Sequence, residues 1–277
     1  MREYPPYSYV MTLYYGSNPL LAEKSMKSML DQSVAPSEIV AVLDGRVDDE
    51  LLKMLQRMSD CSSCPIRIVQ LDRNVGPALA AQRGINESNF RLIARLDSDD
   101  IALPGRMKKQ LDYIMDNPTV SSVGSLVCEI DEDLGLKQLV DLPESHDEIV
   151  EYSRRRCPCR QSSLLYDKLA VEAVGGYRDL RIAEEWDLYN RLIEGGYRCH
   201  NLQEPLVYMT VDDDYYRRRG GFETLRRISN FKWEMYKSGR MGFADFAISL
   251  GANAISCVVP NKVRSVIYRN ILRKREG

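Results

Sequence analysis

Hydrophobic and polar positions along the first 117 residues alternate between two rhythms. Residues 7–14 (YSYVMTLY) are rich in aromatic and β-branched types and stop at Tyr15-Gly16, which predicts a strand and a turn. In the next stretch, NPLLAEKSMKSMLDQ, Asn18 is placed to cap a helix and Pro19 to open it. Ala22, Ser25, Met26, Met29 and Leu30 then recur at helical spacing. Residues 38–43 (EIVAVL) form a near-continuous apolar run, read as a buried parallel strand ending at Asp44-Gly45. A strand at 66–71, an Ala-rich helix at 77–86, a strand at 91–96 and a helix from Pro104 to about Asn117 follow.

Strand and helix alternating at these spacings imply βαβ units, hence an α/β fold with a parallel sheet. In such sheets ligands sit outside the carboxyl ends of the strands. Tyr14, Asp44 and the acidic run LDSDD (Asp97, Asp99, Asp100) all fall at strand ends, so distant segments converge on one rim. The second half alternates less regularly. Strands are expected at 120–130, 136–140, 197–202 and 206–211, and helices at 147–155, 168–174 and 186–193. The last two helices stop at Gly175-Gly176 and Gly195-Gly196. Helical pattern dominates from Tyr215 onward, and no internal repeat is present.

Composition narrows the function classes. With 44% hydrophobic and 28% charged residues the chain supports a sizeable core. The net charge of -2 hides an asymmetry: from Lys262 onward six basic residues stand against one acid, so that tail is +5 and the rest is -7. Nucleic-acid binding by the main body is therefore not expected, whereas a basic tail could meet an anionic membrane. Seven cysteines, an odd number, argue against a secreted disulfide framework. Neither Cys61/Cys64 nor Cys157/Cys159 has a second pair at zinc-site spacing, and two histidines cannot make a His-rich site. The opening MREYPPYSYV lacks the apolar core of a signal peptide, and no uncharged apolar run reaches transmembrane length.

LDSDD is the sharpest chemical signal. Residues two apart in an extended segment share a face, so Asp97 and Asp99 can look into one site with Asp100 turned away. Two adjacent carboxylates ionise together only if a cation or donors compensate. A hard divalent ion such as Mg²⁺ or Mn²⁺ with substrate phosphates would do so; a polar turn capping the next helix is the plainer alternative. Glu184-Glu185 in AEEWDLYNRLIEGGY precede a helix, where the helix dipole favours them, and they become a candidate base if they face the same rim.

Taken together, these segments resemble the family 2 (GT-A fold) nucleotide-sugar glycosyltransferases over nearly the whole chain. The resemblance runs from YVMTLYYGSNPLLAEKSMKSMLDQS through IVAVLDG, NVGPALAAQRGI and ARLDSDDIALPGRMKKQ to VGGYRDLRIAEEWDLYNRLIEGGY. The segments YYRRRGG and VVPNKVRSVIYRNILRK look like the bacterial branch that builds amylovoran-type exopolysaccharide, capsule or O-antigen. It implies a Rossmann-like GT-A domain, a mostly parallel sheet flanked by helices, at 1–212. The nucleotide-sugar side would take about 1–125 and the acceptor side about 126–212, with a helical C-terminal extension at 213–277. By the same resemblance Thr12 and Tyr14 would line the nucleobase pocket and Asp44 would hydrogen-bond the base. Asp97 would hold ribose or the metal, Asp99 would bind Mn²⁺ or Mg²⁺, and Asp100 would brace the loop. Glu185 would be the catalytic base with Glu184 orienting it.

Several positions depart from the family. Leu43 replaces a frequent second aspartate. Ala81-Gln82 stands where an Arg-Asn pair is usual, leaving Arg83 or Arg95 for an arginine role. Gln161 takes a slot often filled by His, and the base is Glu rather than Asp. The implied activity is metal-dependent, inverting transfer from a nucleotide-diphosphate sugar, taken as a UDP-sugar, to a glycan acceptor carried on a polyprenyl diphosphate. The implied location is cytoplasmic, peripheral on the inner face of the membrane. A phosphatase or nucleotidyl-transfer enzyme and a non-catalytic nucleotide-sugar-binding subunit are the competing readings. Arg217, Arg218 and Arg219 could clamp phosphates or form a solvated loop, and Asp212, Asp213 and Asp214 could join a metal shell or a surface turn. In the tail, Val259, Val263, Val266, Ile267 and Ile271 keep helical spacing opposite Lys262, Arg264, Arg269 and Arg273. Such a basic amphipathic helix suits a membrane interface, though packing on the catalytic domain or a homodimer mate would also use it.

Overall fold

The computed structural model of the chain describes residues 2–131, 136–212, 215, 217, 219–259 and 274–275. The expected tail helix, Arg218, Asp213 and Asp214 lie outside these residues. Four parallel strands form the first half: β1 (Tyr7–Leu13), β2 (Glu38–Leu43), β3 (Ile66–Gln70) and β4 (Leu92–Arg95), in the order β3-β2-β1-β4. Side-chain alternation sends Tyr9, Met11, Ile39 and Ala41 to one face, where they pack with α1 (Pro19–Leu30) and α2 (Asp49–Cys61). Val10, Val40, Val42 and Ile93 go to the other face, against α3 (Pro77–Glu87). All six residues of β2 are buried, as a strand covered on both faces requires. Asn18 accepts from the amides of Leu20 and Leu21 and so caps α1, with Pro19 in its first turn. The chain reading passed over α2, although Leu51, Met54, Leu55 and Met58 bury one helical stripe.

The second half is largely antiparallel. β8 (Leu165–Asp167) runs antiparallel between β4 and β6 (Val120–Asp131), and β7 (Leu136–Val140) covers the far side of β6. β9 (Arg198–Thr210) runs parallel to β6, its end pairing with the short β5 (Ile101–Ala102), and β10 (Lys274–Arg275) borders β7. The sheet as a whole is mixed, with its consecutive parallel strands confined to the first half. Residues 197–202 and 206–211, expected as two strands, form the one strand β9. Pro205 lacks an amide proton, and the register against β6 shifts between Ser125 and Leu126, which face Leu202 and Pro205. β5 and β8 are too short to carry a readable pattern.

The helices of this half are α4 (Arg106–Asp116), α5 (His146–Ser153), α6 (Lys168–Ala173) and α7 (Glu184–Glu194). Two more, α8 (Phe222–Lys237) and α9 (Phe243–Val258), pair with each other in the C-terminal extension. α8 docks Ile228, Phe231 and Met235 on Trp186, with the Trp186 and Phe231 rings edge to face at 5.2 Å. All seven cysteines are free thiols, with the Cys157 and Cys159 sulfurs 3.8 Å apart.

Candidate active site

The rim forms where β1, β2 and β4 end. After β4 the chain turns through Asp97, Ser98, Asp99 and Asp100, and three elements pin that turn through hydroxyl groups. Ser25 Oγ of α1 donates to the Asp97 carbonyl at 2.8 Å. Thr210 Oγ1, at the end of β9, donates to the Asp99 carbonyl at 2.5 Å. Ser162 Oγ accepts from the Asp97 amide at 3.3 Å and donates to Asp100 Oδ2. Asp100 Oδ1 accepts from the Thr210 amide at 2.9 Å, and the side chain is buried. Burial, then the charges of Asp99 and Asp97, push its carboxyl well above the usual range. Asp97 and Asp99 remain partly exposed at the rim.

Beneath the turn lie two fully buried arginines. Arg95 Nη1 donates to the Val10 carbonyl at 3.3 Å, and Nη2 lies 3.7 Å from Asp97 Oδ1. Arg106 donates through Nη2 to the Arg95 carbonyl at 2.7 Å and through Nε to Gln110 Oε1 at 3.0 Å. Burial lowers the Arg106 guanidinium to about 10, and the Asp100 charge opposes that fall. Part of the counter-charge to LDSDD is thus built into the floor. Arg95 was expected against the nucleotide-sugar. It is closed to solvent, so its contact with the rim runs through Asp97 instead. Arg106, Ser162 and Thr210 were missed, and nothing in the pattern RMKKQ separates a buried Arg106 from the exposed Lys108 and Lys109.

Asp44 follows β2 and braces a neighbouring loop. Its Oδ1 accepts from the Val75 amide at 2.6 Å and its Oδ2 from the Gly76 amide at 2.9 Å, and it is 5% exposed. Both oxygens help hold the loop before α3. Gly45 completes this junction: its φ is +84°, and a Cβ there would come within 2.6 Å of the Asn74 amide nitrogen. Leu43, the position of the frequent second aspartate, is in the core. Thr12 is partly exposed near the end of β1. Tyr14 is 44% exposed, its amide donating to Ser17 Oγ at 3.0 Å.

Glu184 and Glu185 reach this rim from the other half of the molecule. Gln82 of α3 accepts from the Tyr177 amide at 2.7 Å, and a side chain at Gly176 would collide with it. The Gly175-Gly176-Tyr177 loop is thereby tied to α3 in the first half. Ala183 then adopts φ 62°, a left-handed conformation costly for a residue with a Cβ, immediately before α7 begins. At the helix start the Glu184 and Glu185 carboxylates interact with their own amides, which favours their charged forms. Burial outweighs that help and pushes both carboxyls up, Glu185 well above the usual range with the Glu184 charge adding to the rise.

Gln161 joins the two acidic sites. With its amide oriented to satisfy both neighbours, Nε2 donates to Glu185 Oε1 at 2.6 Å and Oε1 accepts from Arg95 Nη2. A chain Asp97–Arg95–Gln161–Glu185 therefore runs under the rim. Arg219 faces Glu184 electrostatically while its guanidinium lies 3.5 Å over the Tyr215 ring. Asp212 Oδ1 accepts from the Tyr215 amide at 2.6 Å, a turn contact. Arg83 pairs with Glu87 along α3 at 2.8 Å.

Among the described residues no group of three or more His, Cys, Asp or Glu is arranged to hold a metal alone. The donors at the rim are the carboxylates of Asp97 and Asp99. Two hard oxygen donors fit Mg²⁺ or Mn²⁺ when water and diphosphate oxygens complete the shell.

A profile of the family described as "Glycosyl transferase family 2" matches residues 9–163, more than half of the chain. This chain belongs to glycosyl transferase family 2. LDSDD falls inside the matched residues; Glu184 and Glu185 fall beyond them. Full-length relatives span both. A UDP-Gal:alpha-D-GlcNAc-diphosphoundecaprenol beta-1,3-galactosyltransferase of Escherichia coli is 27% identical over 270 residues, 98% of either chain. The amylovoran biosynthesis glycosyltransferase AmsE of Erwinia amylovora is 27% identical over 95% of this chain and 97% of its own. Among solved structures, a mannosyltransferase of Pyrobaculum calidifontis in complex with GDP-Man and Mn²⁺ aligns with TM-score 0.63 at 15% identity. That alignment covers 92% of this chain and 70% of the other, and it shows a shared GT-A fold.

Proposed function

We propose that this protein is an inverting glycosyltransferase of bacterial surface polysaccharide synthesis. It moves a sugar from a nucleotide-diphosphate sugar, taken as a UDP-sugar, to a hydroxyl of a lipid-linked glycan. The observation that carries this reading is the meeting of two unlike acidic sites under one rim: Asp97 and Asp99 beside buried guanidinium charge, and the partly buried Glu185 held by Gln161. The relatives with polysaccharide-building names, one acting on a diphosphoundecaprenol-linked sugar, support the substrate class.

Each residue has a task in this reading. Tyr14 and Thr12 receive the nucleobase side, and Asp44 shapes that pocket through the loop it braces. Asp99, with Asp97, holds Mn²⁺ or Mg²⁺, which when bound neutralises the diphosphate that leaves. Asp97 is kept in place by Arg95, and Asp100 fixes the turn. Glu185 takes the proton from the acceptor hydroxyl as that oxygen bonds to the anomeric carbon and the bond to the nucleoside diphosphate breaks. A base whose affinity for protons is raised by burial accepts that proton more readily, and general bases contribute roughly 10²–10⁴-fold. Gln161 aims Glu185 and supplies a hydrogen bond to its charged form. Glu184, next to it, raises its basicity by like charge. A single displacement of this kind inverts the anomeric carbon.

The test is transfer, and donor hydrolysis, with UDP-, GDP- and TDP-sugars in the presence and absence of Mn²⁺. The acceptor is a water-soluble sugar diphosphate carrying a short alkyl chain. Metal-dependent turnover with one donor is expected. Absence of both turnover and metal-dependent donor binding across the panel contradicts the reading.

A further inference from the structure

The C-terminal helix α9 is turned inside out. Its inward side packs Phe246 on the Trp186 cluster and is otherwise marked by polar contacts: Lys232 of α8 donates to the Ser249 carbonyl at 2.7 Å and to Asn253 Oδ1, and the Cys257 thiol donates to the Arg219 carbonyl at 3.6 Å. Its outward side carries Phe243, Ala244, Ala247, Ile248, Gly251, Ala252, Ile255 and Val258, all exposed, at the spacing of one helical face. Phe243 is 69% exposed, Ile248 57%, Ile255 63% and Val258 77%. No charged residue occurs between Phe246 and Val259. A soluble surface helix has the opposite polarity, and an apolar stripe of this extent marks an interaction surface.

Three further observations define the occupant. First, the stripe continues onto α8: Phe222 is 81% exposed, and the Gly221 amide donates to the Cys257 carbonyl at 3.0 Å, which sets Phe222 beside the end of α9. At the other end Trp233, 46% exposed, and Tyr236 cluster with Phe243 and Phe246. Aromatic rings of this kind are enriched at the level of lipid headgroups. Second, the sequence leaves α9 into a segment of net charge +5. That charge complements an anionic lipid surface and would repel a second copy brought to the same face. Third, α9 has 16 residues, and no described helix is long and apolar enough to cross a membrane, so the stripe suits lying in the interface.

We infer that the outward face of α9, continued by Phe222, is the surface on which the protein lies against an anionic phospholipid bilayer. The C-terminal end of α9 meets Arg219 on its inward side, the Cys257 thiol donating to the Arg219 carbonyl, and Arg219 is the arginine that faces Glu184. Docking there holds the sugar end of a lipid-carried acceptor beside the candidate base; this last clause rests on the lipid-linked acceptor proposed above.

The test is vesicle co-flotation of the full-length protein with phosphatidylcholine vesicles, with and without 30% phosphatidylglycerol, in the absence of donor and acceptor. The wild type is expected to float with the anionic vesicles. I248E/I255E, at exposed positions, is expected to lose at least tenfold in partition; a loss of less than threefold overturns the proposal, and I248S/I255S serves if the double glutamate variant fails to fold. K262Q/R264Q/R269Q/R273Q separates the basic tail from the helix face. Loss of all binding in that variant while I248E/I255E binds normally also overturns it. So does a wild-type dimer in solution that I248E/I255E dissolves without affecting flotation. Because binding is scored without catalysis, and I248E/I255E should keep transfer to the soluble acceptor, failure here is distinct from failure of the glycosyltransferase reading.

Discussion

Asp97 with Asp99, and Glu184 with Glu185, are carboxylates at one rim, yet they are held in opposite ways; Asp100, buried and pushed up in its turn, belongs to the floor. The aspartate turn is fastened by hydroxyls from α1, β9 and the turn at Ser162, with Arg95 and Arg106 buried beneath it. The glutamate pair stands at a helix start with burial pushing both carboxyls towards protonation. Compensated charge suits carboxylates that must stay ionised to hold a cation. Uncompensated burial suits one that must pick up a proton and give it back. The difference lies in what surrounds the acids, since Asp and Glu have similar ordinary pKa values.

Breaking the aspartate side should have the largest effect. Asp99→Ala is expected to abolish metal-dependent donor binding and to cut transfer by roughly 10³-fold, the scale of several kcal/mol of lost charge stabilisation; calorimetry with and without Mn²⁺ checks it. Asp44 sharpens the contrast as an acid that braces a loop. Asp44→Ala leaves the Val75 and Gly76 amides without their acceptor, at a cost of about 1–3 kcal/mol in stability by urea unfolding. Its effect on donor affinity should follow from the loosened loop, and Asp44→Asn, which keeps one of the two acceptors, should recover only part of the stability. Next is the link between the sites. Gln161→Ala removes the donor to ionised Glu185, so transfer should fall about tenfold and the acidic limb of the pH–rate profile should move to higher pH. Gln161→His keeps a donor and should restore part of the rate.

The smallest expected effect is on stability. Glu184 has its folded pKa raised, so between the ordinary Glu range and that raised value the folded state binds more protons than the unfolded chain, and stability falls as pH rises through that window. Glu184→Gln removes this liability. Its melting temperature should exceed that of the wild type at pH 8, with the gain shrinking towards pH 4.

The same contrast explains what was legible in the chain. Strand ends and acid runs are local, so β1, β2, β4 and LDSDD could be read from apolar runs and the residues that stop them. Asp100 is buried, but by a turn that puts its amide on the Asp97 carbonyl at 3.2 Å and not by strand alternation. The environment of those acids was not local. Arg106 lies far in sequence from Tyr7 and Tyr9, which sit near it, and Ser162 and Thr210 reach LDSDD from 62 and 111 residues away. The loop-bracing contacts of Asp44 were hidden for the same reason, since the amides that meet it belong to Val75 and Gly76. Sequence also cannot separate an outward apolar stripe from an inward one, so the uncharged run of α9 was seen but its direction was not.

The most direct test of the division of labour is Glu185→Gln, measured for both donor affinity and transfer in the presence of Mn²⁺. The account predicts donor affinity within about twofold of wild type and transfer lower by roughly 10²–10⁴-fold. Transfer at the wild-type rate, or loss of donor affinity in parallel with transfer, would contradict it.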